Sequence, residues 1–210
     1  MVGDVTGRGI EAASTMGQMR SVTRAFALLD EGAHTPGEVL TRLNRYQRAL
    51  ADEKLFTIIY AIVDPHHGTV SWASAGHPPP LLRAASGETR LLAGGDAMIG
   101  LADLAYEQIE NPIDPGDTLI LFSDGLVERR GETLDVGLKR LATAAAGGPT
   151  QPTALREHVL TQLLSPTREL HDDVTAIFVR IQNRRPSLDP HPQRTLAPKL
   201  HSQSAQRRFP

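Results

Sequence analysis

Apolar residues recur at steps of three and four from Ile10 to about Leu29, where Ala12, Met16, Met19, Val22, Phe26 and Leu29 fall on one helical face. Gly32-Ala33-His34 interrupts that helix and Thr35-Pro36-Gly37-Glu38 starts another. Threonine at the N-cap, proline at the first helical position and glutamate at the third form a capping box. This second helix runs to about Ala51, with Leu40, Leu43, Tyr46 and Leu50 inward. The period then changes. Leu55 to Val63 and Thr69 to Ala75 are β-branched or alternating runs, joined by Asp64-Pro65-His66-His67-Gly68 into a hairpin with a longer loop. Pro78, Pro79 and Pro80 stiffen the backbone as the chain re-enters a strand at Leu81-Leu82. An apolar connector from Leu91 to Leu101 leads to a short strand at Tyr106 to Ile109. Leu119 to Phe122, after the turn Pro115-Gly116-Asp117, is a continuous apolar run of the kind buried on both faces or inside a sandwich. Helices at Leu134 to Ala146 and Thr153 to Leu164 and a strand at Val174 to Ile181 complete the pattern.

The order helix, helix, several strands, helix, helix, strand predicts an α+β domain, a largely antiparallel sheet or sandwich covered by helices. From Asn183 the character shifts: Pro186, Pro190, Pro192, Pro198 and Pro210 are interspersed with Arg184, Arg185, Arg194, Lys199, Arg207 and Arg208. Little there can be buried, so the expected organisation is one domain over 1–182 and a disordered basic, proline-rich tail over 183–210. A length of 210 residues and 40% hydrophobic content suit one sizeable core. The absence of cysteine removes disulfides, thiolate zinc sites and cysteine nucleophiles together and fits a reducing compartment. A net charge of -2 gives no electrostatic case for nucleic acid or a membrane as the main partner. No run is long and apolar enough to span a bilayer and none looks like a signal peptide, so a cytoplasmic location is expected.

Candidate chemistry lies in acids placed where strands meet turns. Asp124 follows the Leu119 to Phe122 run, and Gly125 after it allows a tight turn with close backbone approach. Alone, an Asp-Gly pair is a turn. Two other stretches end the same way: Val2-Gly3-Asp4-Val5-Thr6-Gly7-Arg8-Gly9 near the start, and His171-Asp172-Asp173-Val174-Thr175 before the last strand. Carboxylates gathered from separate strand ends repel one another unless a hard cation lies between them, and oxygen-only ligands suit magnesium or manganese. His66 and His67 sit in a turn, where adjacent imidazoles are usually solvated, and carry no chemistry in this reading. His77 could lie near the site, with fixing a loop by hydrogen bonds as its first role.

Taken in order, Gly3-Asp4-Val5-Thr6-Gly7-Arg8-Gly9, Ala75-Gly76-His77-Pro78-Pro79-Pro80, Pro115-Gly116-Asp117-Thr118, Ser123-Asp124-Gly125 and Asp172-Asp173-Val174-Thr175 give the chain a clear resemblance. It resembles the bacterial metal-dependent serine/threonine phosphatases of the PP2C (PPM) type, in the SpoIIE-like branch of sporulation and stress-response regulators of sigma-factor pathways. The resemblance implies a PP2C-like antiparallel β-sandwich flanked by helices. It implies two divalent ions, manganese or magnesium, with Asp4 as the bridging ligand, the Val5 carbonyl beside it, and Asp124 and Asp172 as further ligands. Gly125, Asp173 and His77 would stand behind them. In such enzymes the ions lower the pKa of a bound water that attacks phosphorus in line, without a phosphoenzyme. The implied substrate is a phosphoserine or phosphothreonine on a small regulator of the anti-sigma-factor-antagonist type. The two helices after Asp4 match the branch's regulatory helices, and a homodimer or an upstream sensor domain would be in keeping with it.

One departure accompanies these matches. Relatives carry, before the Gly-Asp-Val motif, strands with a Gly-Gly-Asp-type segment whose aspartate is a further ligand, and this sequence has none. The first strand or strands of the fold are therefore expected to be missing, leaving an unpaired sheet edge, weak metal binding and low activity. A catalytically impaired binding or regulatory module is the alternative. An aspartate-nucleophile phosphotransferase of the haloacid dehalogenase type would need a second aspartate two residues before Asp124, where Phe122 stands.

Overall fold

The computed structural model describes residues 1–7, 9–28, 35–50, 54–164 and 173–182. Expectations for Arg8, Leu29, Gly32-Ala33-His34, Ala51, Asp172 and the 183–210 tail fall outside the described residues. The elements follow in the order β1 (Val2–Val5), α1 (Ile10–Leu28), α2 (Pro36–Ala49), β2 (Phe56–Asp64), β3 (Thr69–Ala75), β4 (Leu81–Arg83), β5 (Thr89–Leu91), β6 (Ile109–Pro112), β7 (Thr118–Phe122), α3 (Leu134–Ala146), α4 (Pro152–Leu163) and β8 (Ala176–Arg180). A 3-10 turn at Asp124–Leu126 follows β7.

The strands form two four-stranded sheets, ordered β1-β2-β3-β6 and β5-β4-β7-β8, and every pairing is antiparallel. Side-chain alternation then divides the core into three layers. Val2, Ile59, Val70 and Trp72 of the first sheet meet Leu82, Leu119 and Leu121 of the second. On its other face the first sheet packs Phe56, Ile58, Ala73 and Ala75 against Met19 of α1 and Leu40 and Leu43 of α2. The second sheet packs Leu81, Ile120 and Phe122 against Leu138 and Leu141 of α3 and Leu155 and Val159 of α4. The α+β sandwich expected from the pattern is therefore present as helices, sheet, sheet, helices. Strand β7 is buried on both faces along its whole length, which is why its sequence is continuously apolar rather than alternating.

The capping box forms: Glu38 N–H donates to Thr35 Oγ1 at 3.3 Å and Thr35 N–H to Glu38 Oε2 at 3.0 Å. Three details differ from expectation. Helix α1 buries the row Thr15, Met19 and Thr23, while Met16, Val22 and Phe26 are only half-buried against the core. Its two threonines can be buried because each hydroxyl donates to the carbonyl four residues back, Glu11 or Met19. Leu50, expected inward, is exposed beyond the end of α2. The short strand expected at Tyr106 to Ile109 is displaced to Ile109–Pro112. Tyr106 instead lies buried in the loop, donating its hydroxyl to Ala97 O at 2.9 Å.

Candidate metal-phosphate site

Asp4 lies on β1, an edge strand of the first sheet. Cross-strand register sets Asp4 opposite Thr57 of β2, so the two share a face, the same one that carries Val2 and Ile59 into the inter-sheet core. Close approach of β1 to β2 here depends on Gly3, because a Cβ at that position would stand 2.6 Å from Thr57 O. Along this layer the apolar side chains give way at one end of the sandwich to Asp4 and Thr57 on one sheet.

The second sheet supplies the facing groups. After β7, Ser123 is buried and Asp124 begins the 3-10 turn. Asp124 Oδ1 accepts Gly125 N–H at 2.8 Å, and its carbonyl accepts Val127 and Glu128 N–H, both at 2.8 Å. The carboxylate is thereby oriented by its own turn, and among the described residues Oδ2 meets no donor. Ser123 stitches the incoming segment of β8 to this turn. Its Oγ donates to Asp173 O at 3.0 Å and accepts Thr175 N–H at 2.9 Å, while its own N–H donates to Thr175 O at 2.9 Å.

Asp4, Thr57, Ser123, Asp173 and Thr175 line one cavity of about 710 Å³, whose lining also includes Met16, Met19, Arg20 and Arg24 of α1. The structure thus brings Asp4 and Asp173 to a common space. Asp124 adjoins it through Ser123 without lining it, Val5 is buried on β1, and Asp172 lies outside the described residues. Among the described residues no group of three or more histidine, aspartate or glutamate side chains could hold a metal ion. The carboxylates of Asp4 and Asp173 that line the cavity are hard oxygen donors, which fit magnesium or manganese in kind.

His77 is buried just beyond β3, with Nε2 3.0 Å from Phe122 O and Nδ1 3.0 Å from Thr57 Oγ1. Burial pulls its pKa down to about 4, against the opposing effect of the Phe122 bond, and the ring is neutral. His66 and His67 behave as the turn predicts. Asp64 accepts both backbone N–H groups and the His67 ring, which holds its carboxyl down at about 2 and raises His67. The contributions of Thr57 and Ser123 escaped sequence reasoning. Ser123 had a signal, its place before Asp-Gly at the end of a buried strand; Thr57 had none, since only the register sets it against Asp4.

Among the described residues no helix is long and apolar enough to cross a membrane. Phosphoserine phosphatase RsbU of Bacillus subtilis (strain 168) is 29% identical to this chain over 194 residues, 85% of this chain and 54% of RsbU. The structure of the RsbU and RsbW domains of Rv1364c from Mycobacterium tuberculosis is similar at 28% identity and a TM-score of 0.73, covering 86% of this chain and 50% of that one. The PP2C phosphatase domain of SpoIIE from Bacillus subtilis, at 18% identity and a TM-score of 0.67, shares the fold over 88% of this chain and 53% of its own. The chain spans about half the length of these proteins. With residues 1–182 matched by the model for Stage II sporulation protein E (SpoIIE), the chain belongs to that family.

Proposed function

We propose that this domain is a metal-dependent phosphoprotein phosphatase acting on phosphoserine or phosphothreonine of a regulatory protein of the anti-sigma-factor-antagonist type. The observation that carries the reading is that Asp4 of the first sheet and Ser123 and Asp173 of the second line one cavity, with Asp124 next to Ser123, in a chain of the SpoIIE family. Its resemblance to a phosphoserine phosphatase supports the reaction class. The residues that would hold two manganese or magnesium ions are Asp4, the Val5 carbonyl, Asp124 and Asp172. Bound divalent ions supply water activation and charge neutralisation at phosphorus. The chain's own part is positional. Gly3 lets β1 approach β2 beside Asp4, the turn after β7 orients the Asp124 carboxylate, and Ser123 fixes the segment that carries Asp173. The α1 wall, with Arg20 and Arg24, faces the same space and would meet the phosphorylated segment of the substrate protein.

A second reading, a catalytically impaired module that binds a partner, is favoured by one observation. Among the described residues, which leave out Asp172, no group of three or more histidine, aspartate or glutamate side chains is placed to hold a metal ion. Phosphate release from a phosphoserine peptide, measured on protein stripped with a chelator and then titrated with manganese, decides between the two. The phosphatase reading predicts no release without metal and saturable release with it. A cooperatively folded protein with no release at any manganese concentration would support the binding module instead.

A further inference from the structure

The inter-sheet layer is held mainly by apolar contacts among residues such as Ile59, Trp72, Leu119 and Leu121. Such contacts are non-directional and do not by themselves set the spacing of two sheets to a fraction of an ångström. A pair of metal ions requires that precision at the acidic end, where ligands come from both sheets. His77 supplies directional bonds there. Phe122 O can only accept, so Nε2 carries the ring proton, and the neutral ring then accepts the Thr57 hydroxyl proton at Nδ1. Each nitrogen therefore grips a different sheet. Thr57 on β2 stands directly opposite Asp4, and Phe122 ends β7 two residues before Asp124.

The ring is also held from behind. Ser74 Oγ donates to the His77 carbonyl at 3.1 Å. Gly76 N–H donates to Asp96 O at 2.7 Å, and Asp96 N–H returns to Ser74 O at 2.9 Å. The three prolines that follow offer no N–H and fix their own φ angles, so the loop has few alternative bonding patterns.

The geometry points to His77 as a positioning residue, a strut between the two sheets that sets the distance from the strand of Asp4 to the strand end of Asp124. Its link to metal binding rests on the phosphatase reading above, whereas the strut itself does not. Three variants of the full chain separate the parts. Thr57→Val removes one bond and keeps the side-chain shape. His77→Gln can retain the donor to Phe122 O. His77→Phe removes both bonds.

In metal-free protein, exchange of the Ser123 amide, read by nuclear magnetic resonance, is expected to be at least about tenfold faster in His77→Phe. Calorimetric titration with manganese, well below the unfolding temperature, is expected to show affinity about tenfold weaker in Thr57→Val and His77→Phe, and His77→Gln between them and the parent. Thr57→Val should add almost nothing in a His77→Phe background, because the strut is already gone. Unchanged Ser123 exchange in His77→Phe, or manganese affinity within about twofold of the parent in both single variants, would overturn the inference. Should His77→Phe fail to fold, exchange and affinity in Thr57→Val decide the matter alone. A parent protein that binds no manganese yet shows the faster exchange in the variant would sustain the strut and overturn the metal-dependent reading.

Discussion

Asp124 spends one carboxylate oxygen on the amide of its own turn, through the 2.8 Å bond to Gly125, and leaves the other available for a ligand. Asparagine preserves that acceptor and removes the negative charge. Asp124→Asn is accordingly expected to keep the thermal midpoint within a few degrees while metal-dependent phosphate release falls more than about a hundredfold, since a ligand should matter more than the groups behind it. A turnover assay run beside a melting curve checks both halves. His77 makes a different prediction, about pH. Its folded pKa is pulled from 6.5 to about 4, so the unfolded chain binds the extra proton between those values. The stability that the neutral ring contributes is complete above about pH 6.5 and is lost as pH falls toward 4. At about 1.4 kcal/mol per pH unit, the whole effect is on the order of 3 kcal/mol. Urea unfolding from pH 8 to pH 4.5 should show this loss in the parent protein and a shallower dependence in His77→Gln; parallel curves would contradict it.

At the scale of elements, helix α3, which packs on the second sheet, reaches the turn that carries Asp124. Helix α3 approaches the turn after β7 so closely that a Cβ on Gly137 would lie 2.1 Å from Val127 O. Alanine gains roughly 1 kcal/mol over glycine in a helix interior, but overpacking against backbone costs about 1–3 kcal/mol. Gly137→Ala is therefore expected to destabilise, lowering the urea midpoint with an unchanged slope, and to reduce turnover by shifting the Asp124 turn. A stabilised Gly137→Ala protein would contradict the packing account. Helix boundaries and the β2–β3 hairpin were legible in sequence because caps, turn residues and periodicity agree there, as at Thr35 and Asp64. The buried row of α1 was not. Apolar spacing alone passes over Thr15 and Thr23, which satisfy their hydroxyls within the helix and are buried. Strand β6 begins later than expected because Tyr106, a residue type common in strands, donates its hydroxyl to Ala97 O and its N–H to Thr41 Oγ1 of α2.

Across the whole molecule, the two sheets share one inter-sheet core, and the single tryptophan, Trp72, is fully buried in it with Nε1 donating to Asn111 Oδ1 at 2.9 Å. Its fluorescence reports on the junction of the two sheets, and its unfolding transition should coincide with that of far-ultraviolet circular dichroism. Separate transitions would mean that the sheets come apart before they unfold. The candidate site was legible in part at this scale. Acids at strand-to-turn joins marked Asp4, Asp124 and the Asp172-Asp173 pair, but which of them share a cavity depends on how the sheets stack, and local sequence does not encode stacking. The activity proposed for this end of the sandwich is metal-dependent phosphate release through Asp4 and Asp124. The most direct test is manganese-dependent hydrolysis of a phosphoserine peptide by the parent protein, Asp4→Asn and Asp124→Asn, each shown to unfold cooperatively. Saturable release is expected in the parent and lost in both variants; undiminished release in either variant would overturn the assignment of Asp4 and Asp124.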